Sequence, residues 1–476
     1  MNLNVLVISP KMKTTVDVFS FVVHLRTFSL FMLAALTFEA TNAFAQGWEQ
    51  TYGDGIINSG FSLQKTTDGG FVLVGHTYAS EEEYADVLLI KTDENGMEEW
   101  SQTFGSPYAE DYGKSVQQTS DGGFIITGIT HLEGEDSEDG GLDVLLIKTY
   151  PNGVIEWGQT LGGTLNDVGW SVCQTSDGGY AIAGYTVTSL WDVEGHFKEV
   201  YLIKTDANGN EEWSQTFGAE EMTAIGYSLE QTDDGGFIIG GRIGPGRKIQ
   251  NNTSSDAYLI KTDESGAELW SQTYGGDYFD TGYSVQQTSD GGFILSGFMT
   301  GSNDVDLDVY LVKTDGIGTE EWSQTFGNAD TQDHGRSVQQ TSDGGYIIGG
   351  TRDHLPGSTG DSDMILIKTT GNGSEEWTQT FEGEAESEDL GYSVQQTEAG
   401  CYIFLGATSN EGASDAYLIK TCAETPQSAS FFTPTSGGRK LEKVVDILGR
   451  EVNRTPNQIQ LYIYDDGTVE QKVVRD

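Results

Sequence analysis

Basic residues are few in this chain. Against 73 Asp and Glu it carries 25 Lys and Arg, a formal net charge of −48 over 476 residues. Such a surface repels nucleic-acid phosphates and anionic membranes, so neither is expected as a partner. Proline is scarce (8), yet glycine is abundant (63) and aromatics make up 11% of the residues. The chain can therefore build a core and is no disordered polymer. No segment shows a helical period with caps. No Cys-x-x-Cys, Gly-x-Ser-x-Gly, phosphate-cradling loop or His-Glu-x-x-His occurs, so the common motifs of redox, acyl-transfer, nucleotide and zinc-protease chemistry are missing.

Long apolar runs are also lacking, with one exception. Lys11, Lys13 and Arg26 precede Phe28–Phe38 (FSLFMLAALTF), and Ala43-Phe44-Ala45 forms an A-x-A site. Residues 1–45 read as an export signal, with Gln46 as the mature start. The run is short for a membrane span, and no integral span is expected after cleavage.

What is present is repetition. Trp48, Trp100, Trp157, Trp213, Trp270, Trp322 and Trp377 recur every 52 to 57 residues. Between them return a Gly-x-Ser, the words SVQQT, a turn such as Ser120-Asp121-Gly122-Gly123, an apolar run, a variable loop and a run ending Lys-Thr. Asp-Gly and Gly-Gly supply the positive φ of tight hairpins. Each unit reads as four short strands, the middle two nearly all apolar as for strands buried on both faces. Seven such units predict an all-β chain: a seven-bladed β-propeller of four-stranded antiparallel blades over residues 46–422. The repeat starts and stops in mid-hairpin, so Trp48–Tyr52 is expected to supply the outer strand of the last blade, which removes an open edge.

Sevenfold repetition argues for structural roles. Lys91, Lys148, Lys204, Lys261, Lys313, Lys368 and Lys420 are expected to pair with a repeated acid or cap a turn. The recurrent Asp before the third strand and before Gly-x-Ser reads as turn chemistry. Binding residues are sought where the units differ, on the long loops at the end opposite the Asp-Gly-Gly turns. Trp191, His196, Arg242, Arg247, Lys248 and His354 are the ligand candidates there, and all five mature histidines are expected in or beside such loops. No cofactor is demanded by any motif. Ca²⁺ is the candidate ion, at Asp304, Asp306 and Asp308, where alternating oxygens suit a hard cation. Cys401 and Cys422 fall opposite each other on one hairpin and are expected to pair, whereas Cys173 replaces a repeated Gln as a buried free thiol.

The units resemble secreted bacterial propeller repeats of the TSDGG type. After a Ser/Thr/Pro/Gly linker over residues 423–440, residues 441–476 carry three short apolar runs with Asp446, Gly449-Arg450-Glu451, Tyr464 and Asp466-Gly467. This tail resembles the type A C-terminal sorting domain of the type IX secretion system. The resemblance implies a small β-domain, the type IX machinery as a partner, and passage through the periplasm and outer membrane to the cell surface or medium. The expected function is an exported binding module for an extracellular glycan or protein. The alternatives are an exported hydrolase or lyase with a loop-borne carboxylate or metal site, and a calcium-stabilised surface protein.

Overall fold

The computed structural model describes residues 47–53, 58–78, 84–106, 108–132, 141–188, 197–245, 254–301, 306–328, 331–354, 362–381, 387–398, 400–410 and 413–422, with three backbone strands beyond. The chain divides into two units, Met1–Ala423 and Glu424–Asp476. The expected signal at 1–45 and linker at 423–440 lie outside the described residues.

The first unit is all-β and propeller-like. Its described strands form seven antiparallel groups of four, two of them joined into one eight-stranded sheet by a single parallel pairing, Leu307 with Gln332. One group shows the plan. The inner strand Ala109–Gln118 pairs with Phe124–Leu132, which pairs with Leu142–Thr149, which pairs with the outer strand Ile155–Leu161. The middle strands are buried on both faces, with Ile125, Ile126, Val144 and Leu146 at 0–1% exposure. The last group takes its outer strand from the other end of the chain, Trp48–Tyr52 running against Ala413–Cys422 with Trp48 opposite Lys420, as the phase of the repeat predicts.

The hairpin turn is built from the repeated words. Gly122 has φ +85°. Asp121 Oδ1 accepts from the Thr119 hydroxyl (2.5 Å) and the Gly123 amide (2.9 Å). The buried Lys148 then meets Asp121 (3.0 Å), Glu156 (3.4 Å) and the carbonyl of Thr149 (2.9 Å). Six of the seven repeated lysines make this Asp contact at 2.9–3.0 Å, each with its side chain 3–6% exposed. In the seventh group Glu398 and Gly400 occupy the turn, and the Cys401–Cys422 disulfide ties the same two strands at the same end.

SVQQT joins the groups to each other. Ser62 Oγ accepts from the Val116 amide of the next group, and this bond recurs around the whole set until Ser393 Oγ accepts from Leu63, all at 3.1–3.3 Å. The first Gln repeats the device one pair on: Gln117 Oε1 takes the Gln174 amide (2.5 Å) and Gln395 that of Lys65 (2.8 Å). Cys173 stands in this row as a buried free thiol, pushed up to about 12 by burial. Each Trp packs on the aromatic residue that opens the second strand of the following group, Trp48 on Phe71 and Trp100 on Phe124 at 6.2 and 5.9 Å. The apolar clusters accordingly straddle neighbours rather than fill one sheet, which is why a unit of about 50 residues need not be stable alone.

In the second unit Leu441–Val445, Ile459–Tyr464 and Val469–Val473 form a three-stranded antiparallel sheet. Tyr464 ends its middle strand. Asp446, Gly449, Arg450, Glu451, Asp466 and Gly467 lie outside the described residues.

Candidate functional site: an aromatic and cationic belt inside the ring of inner strands

Every inner strand carries one irregularity in the same place. The register with the second strand slips between Gly60 and Ser62, Gly113 and Ser115, Gly169 and Ser171, and at the four matching positions. The glycine pair at the slip lets the two backbones approach; a Cβ on Gly128 would run into the Tyr112 carbonyl. A bulge re-aims one side chain out of the ladder. That residue is the x of Gly-x-Ser: Phe61, Lys114, Trp170, Tyr227, Tyr283, Arg336 and Tyr392.

These seven meet. Lys114 Nζ lies 3.9 Å from the Phe61 ring centre and 5.3 Å from Trp170. Trp170 meets Tyr227 edge-on at 5.8 Å, and Tyr227 meets Tyr283 at 5.2 Å. The Arg336 guanidinium covers Tyr283 at 4.3 Å, and its charge reaches Tyr392. Tyr392 closes the circuit on Phe61 at 5.0 Å. Successive inner strands touch around the same circuit, so the belt lines the space they enclose. It lies just before the Ser and Gln clamps, on the side of the long connections. Cation–π contacts of this kind are each worth about 0.5–2 kcal/mol, more as water is excluded.

A second tier stands behind the belt. His76 stacks on Phe61 (5.4 Å) and meets Tyr78 and Tyr112 edge-on. The Tyr112 hydroxyl donates to Glu110 (2.8 Å). Arg242 covers Phe279 at 5.0 Å and Lys198 covers Tyr185 at 3.9 Å. His334 meets Phe298 edge-on at 5.0 Å and reaches Asp353 at 3.5 Å.

Burial dominates the electrostatics here. It lowers the Lys114 ammonium to about 8. Burial, then the Lys114 charge, holds the His76 imidazole at about 4, so it is neutral at pH 7. Burial also pushes the Tyr227 and Tyr392 hydroxyls up. Five nitrogens of these two tiers are buried without a hydrogen-bond partner: His76 Nδ1, Trp170 Nε1, Arg242 Nε, His334 Nδ1 and Arg336 Nε. Native proteins leave few such groups unless a water, ion or ligand completes them. Lys114 has no carboxylate and no hydrogen-bond acceptor among the described residues; its contacts are with rings.

Of the ligand candidates read from the sequence, Arg242 and His354 fall among the described residues. Arg242 is a strand residue, opposite Ile225 inside Phe237–Pro245, rather than part of a loop. The ten-residue inner strand Met222–Gln231 extends the pairing past the bulge and takes Arg242 into the second tier. His76, His131 and His334 are likewise inside strands. His354 ends Tyr346–His354 and meets Asp363 at 3.3 Å. Trp191, His196, Arg247 and Lys248 lie outside the described residues, as does Asp304. Asp308 lies in Leu307–Thr314 with Asp306 just before it, and burial followed by the Asp306 and Asp333 charges raises its carboxyl. Among the described residues no group of three His, Cys, Asp or Glu is placed to share a metal ion. The belt itself was visible only as a bias: the x of Gly-x-Ser is always aromatic or cationic in a chain short of cations.

No protein-family model and no curated protein matches the chain. Among solved structures it is similar to an unknown-function protein of Dyadobacter fermentans (13% identity, TM-score 0.43, covering 65% of this chain and 93% of that one). It is also similar to a putative exo-β-1,3-galactanase of Bifidobacterium bifidum (14%, TM-score 0.33, 58% and 94%) and to a fungal alcohol oxidase in complex with copper (11%, TM-score 0.45, 89% and 84%). The copper and the activities belong to those proteins; likenesses this distant say nothing of what this chain does. Among the described residues no helix is long and apolar enough to cross a membrane.

Proposed function

We propose that the chain is a seven-bladed β-propeller, exported to the cell surface or the medium, that binds an extracellular glycan at the belt inside its inner strands. The observation that carries this reading is the belt. Seven unlike repeats each turn an aromatic or cationic side chain into one enclosed space through the same bulge. Aromatic faces suit the C–H faces of sugar rings, and a rigid scaffold holds them at small entropic cost. A glycan array probed with the protein, then with Trp170→Ala and Tyr283→Ala, tests it. Binding to a defined glycan that both variants weaken is expected; binding that neither variant changes refutes the belt as the site.

Export rests on the N-terminal signal and on the tail, whose residues resemble a type IX sorting domain. Removal of residues 441–476 in a bacterium with that machinery is expected to hold the protein in the periplasm. Normal release of the truncated chain refutes this route without touching the binding proposal.

A further inference from the structure

The belt is uneven. Around Tyr227 and Tyr283 it is ring against ring. Around Lys114 it presents a cation and an indole N–H, and nothing among the described residues answers either. Lys114 is walled by Phe61, Tyr112 and Trp170. Trp170 Nε1 is buried and unpaired. Of the two acids on the same strand, Glu110 is engaged by the Tyr112 hydroxyl and the Ala85 amide (2.8 and 3.1 Å) and Asp111 by the Ser106 amide (3.0 Å). Across the circuit Arg336 Nε is also unpaired. A cation with no acid partner among the described residues, in a chain of net charge −48 where an acid is the commonest neighbour available, is an arrangement that stability alone does not favour.

Resting on the glycan-binding reading, we infer that the Lys114–Trp170 sector selects a carboxylate-bearing sugar, a uronate, within that glycan. The carboxylate accepts from the Lys114 ammonium and the Trp170 N–H in charge-assisted bonds, while Trp170 meets the sugar ring. The aromatic walls of the sector favour a saccharide, whose C–H faces pack on rings, over an acidic peptide.

Calorimetric titration of the full chain tests this. The probes are a panel of uronate oligosaccharides, their methyl esters as neutral forms of the same rings, a polyglutamate peptide and inorganic sulfate. At least one uronate oligosaccharide is expected to bind at least tenfold more tightly than its ester. Lys114→Met and Trp170→Phe are expected to erase that preference and Lys114→Arg to keep most of it. Thermal melts of the variants confirm that each is folded. Equal binding of acid and ester, unchanged in Lys114→Met, overturns the inference and leaves glycan binding standing. Binding of sulfate as tight as that of the best uronate overturns carboxylate selection in the same way. Failure of every saccharide, acidic or neutral, overturns both readings. Binding of polyglutamate alone replaces the glycan with an acidic peptide.

Discussion

The two ends of the same strands are built on opposite rules. At the turn end, six groups repeat one arrangement: an Asp that holds its own hairpin and a buried Lys that reaches that Asp and the following carbonyl. In five of the six a Glu on the outer strand supplies a third acceptor, so that every donor of the lysine is met. At the other end the bulge delivers five kinds of side chain from seven groups, and five buried nitrogens there have no partner. Lys148 and Lys114 show the contrast directly. Both are held among protein groups; one is surrounded by acceptors and the other by rings. Repetition with full satisfaction marks a structural device, and variation with unmet donors marks a site kept for something else.

The largest test of this contrast is closure, on which both ends depend. Tyr52 is buried and its hydroxyl donates to the Gly96 carbonyl in the first group (2.5 Å). Deleting residues 47–53 opens the last sheet and is expected to cost more than about 5 kcal/mol, most of a typical domain's stability. A truncated chain that melts like the parent breaks the account. Next in size is the last hairpin, which has a disulfide where the others have an ion pair. Closing a loop with a sequence separation of 21 is worth about 3 kcal/mol in the chain-entropy picture. Reductant should therefore lower the Tm of the parent and leave that of a Cys401→Ser/Cys422→Ser variant unmoved.

At the turn end, Lys148→Met strands the Thr149 carbonyl and Asp121, and is expected to lower stability by about 1–3 kcal/mol in urea unfolding. Acid separates the two ends by window. The His76 imidazole is at about 4 in the fold against its usual 6.5, so the unfolded chain binds that proton first. Its contribution is full above pH 6.5 and is lost as pH falls to about 4. Asp121, Asp177 and Asp290 are at about 2 against 3.8, held there against burial by hydrogen bonds and the lysine charge. Their contribution is full above about pH 4 and is lost as pH falls toward 2. His76→Phe should flatten the stability profile in the upper window and Asp121→Asn in the lower one. The smallest effect is the sharpest discriminator. Lys114→Met should leave the Tm unchanged or raise it, within about 0.5 kcal/mol of the parent, because no acceptor is orphaned. A loss as large as that of Lys148→Met would show that the belt is structural after all.

Much of this was legible in the residues. The strands, the Asp-Gly-Gly hairpins, the closing role of Trp48–Tyr52 and the pairing of Cys401 with Cys422 follow from local pattern and from the phase of a repeat. The repeated lysines read as ion-pair or turn-capping residues because sevenfold use fits no single reaction. The variable connections are the expected place for ligands, with Arg242 in one of them and the histidines in or beside them. Arg242 is instead carried into a strand by pairing that runs past the bulge. The Gly-x-Ser position carries little local signal, because its glycine and serine repeat and its middle residue is unremarkable in any one unit.

By itself, then, the sequence determined the unit, its hairpins and the count of its repeats, which depend on neighbours within about 50 residues, and the way the chain returns on itself, which follows from the phase at which the repeat starts and stops. Only the tertiary structure decided that the middle residues of seven Gly-x-Ser words meet. Lys114 and Phe61 are 53 residues apart, and Phe61 and Tyr392 are 331 apart. Their contact exists only when the last inner strand lies beside the first, and only because each bulge turns one side chain off its sheet and toward the common space. The clamp residues show the same dependence: Ser393 and Gln395 have their partners, the amides of Leu63 and Lys65, only across that closure. Packing across the whole ring sets where these groups go, and no window of the chain contains it.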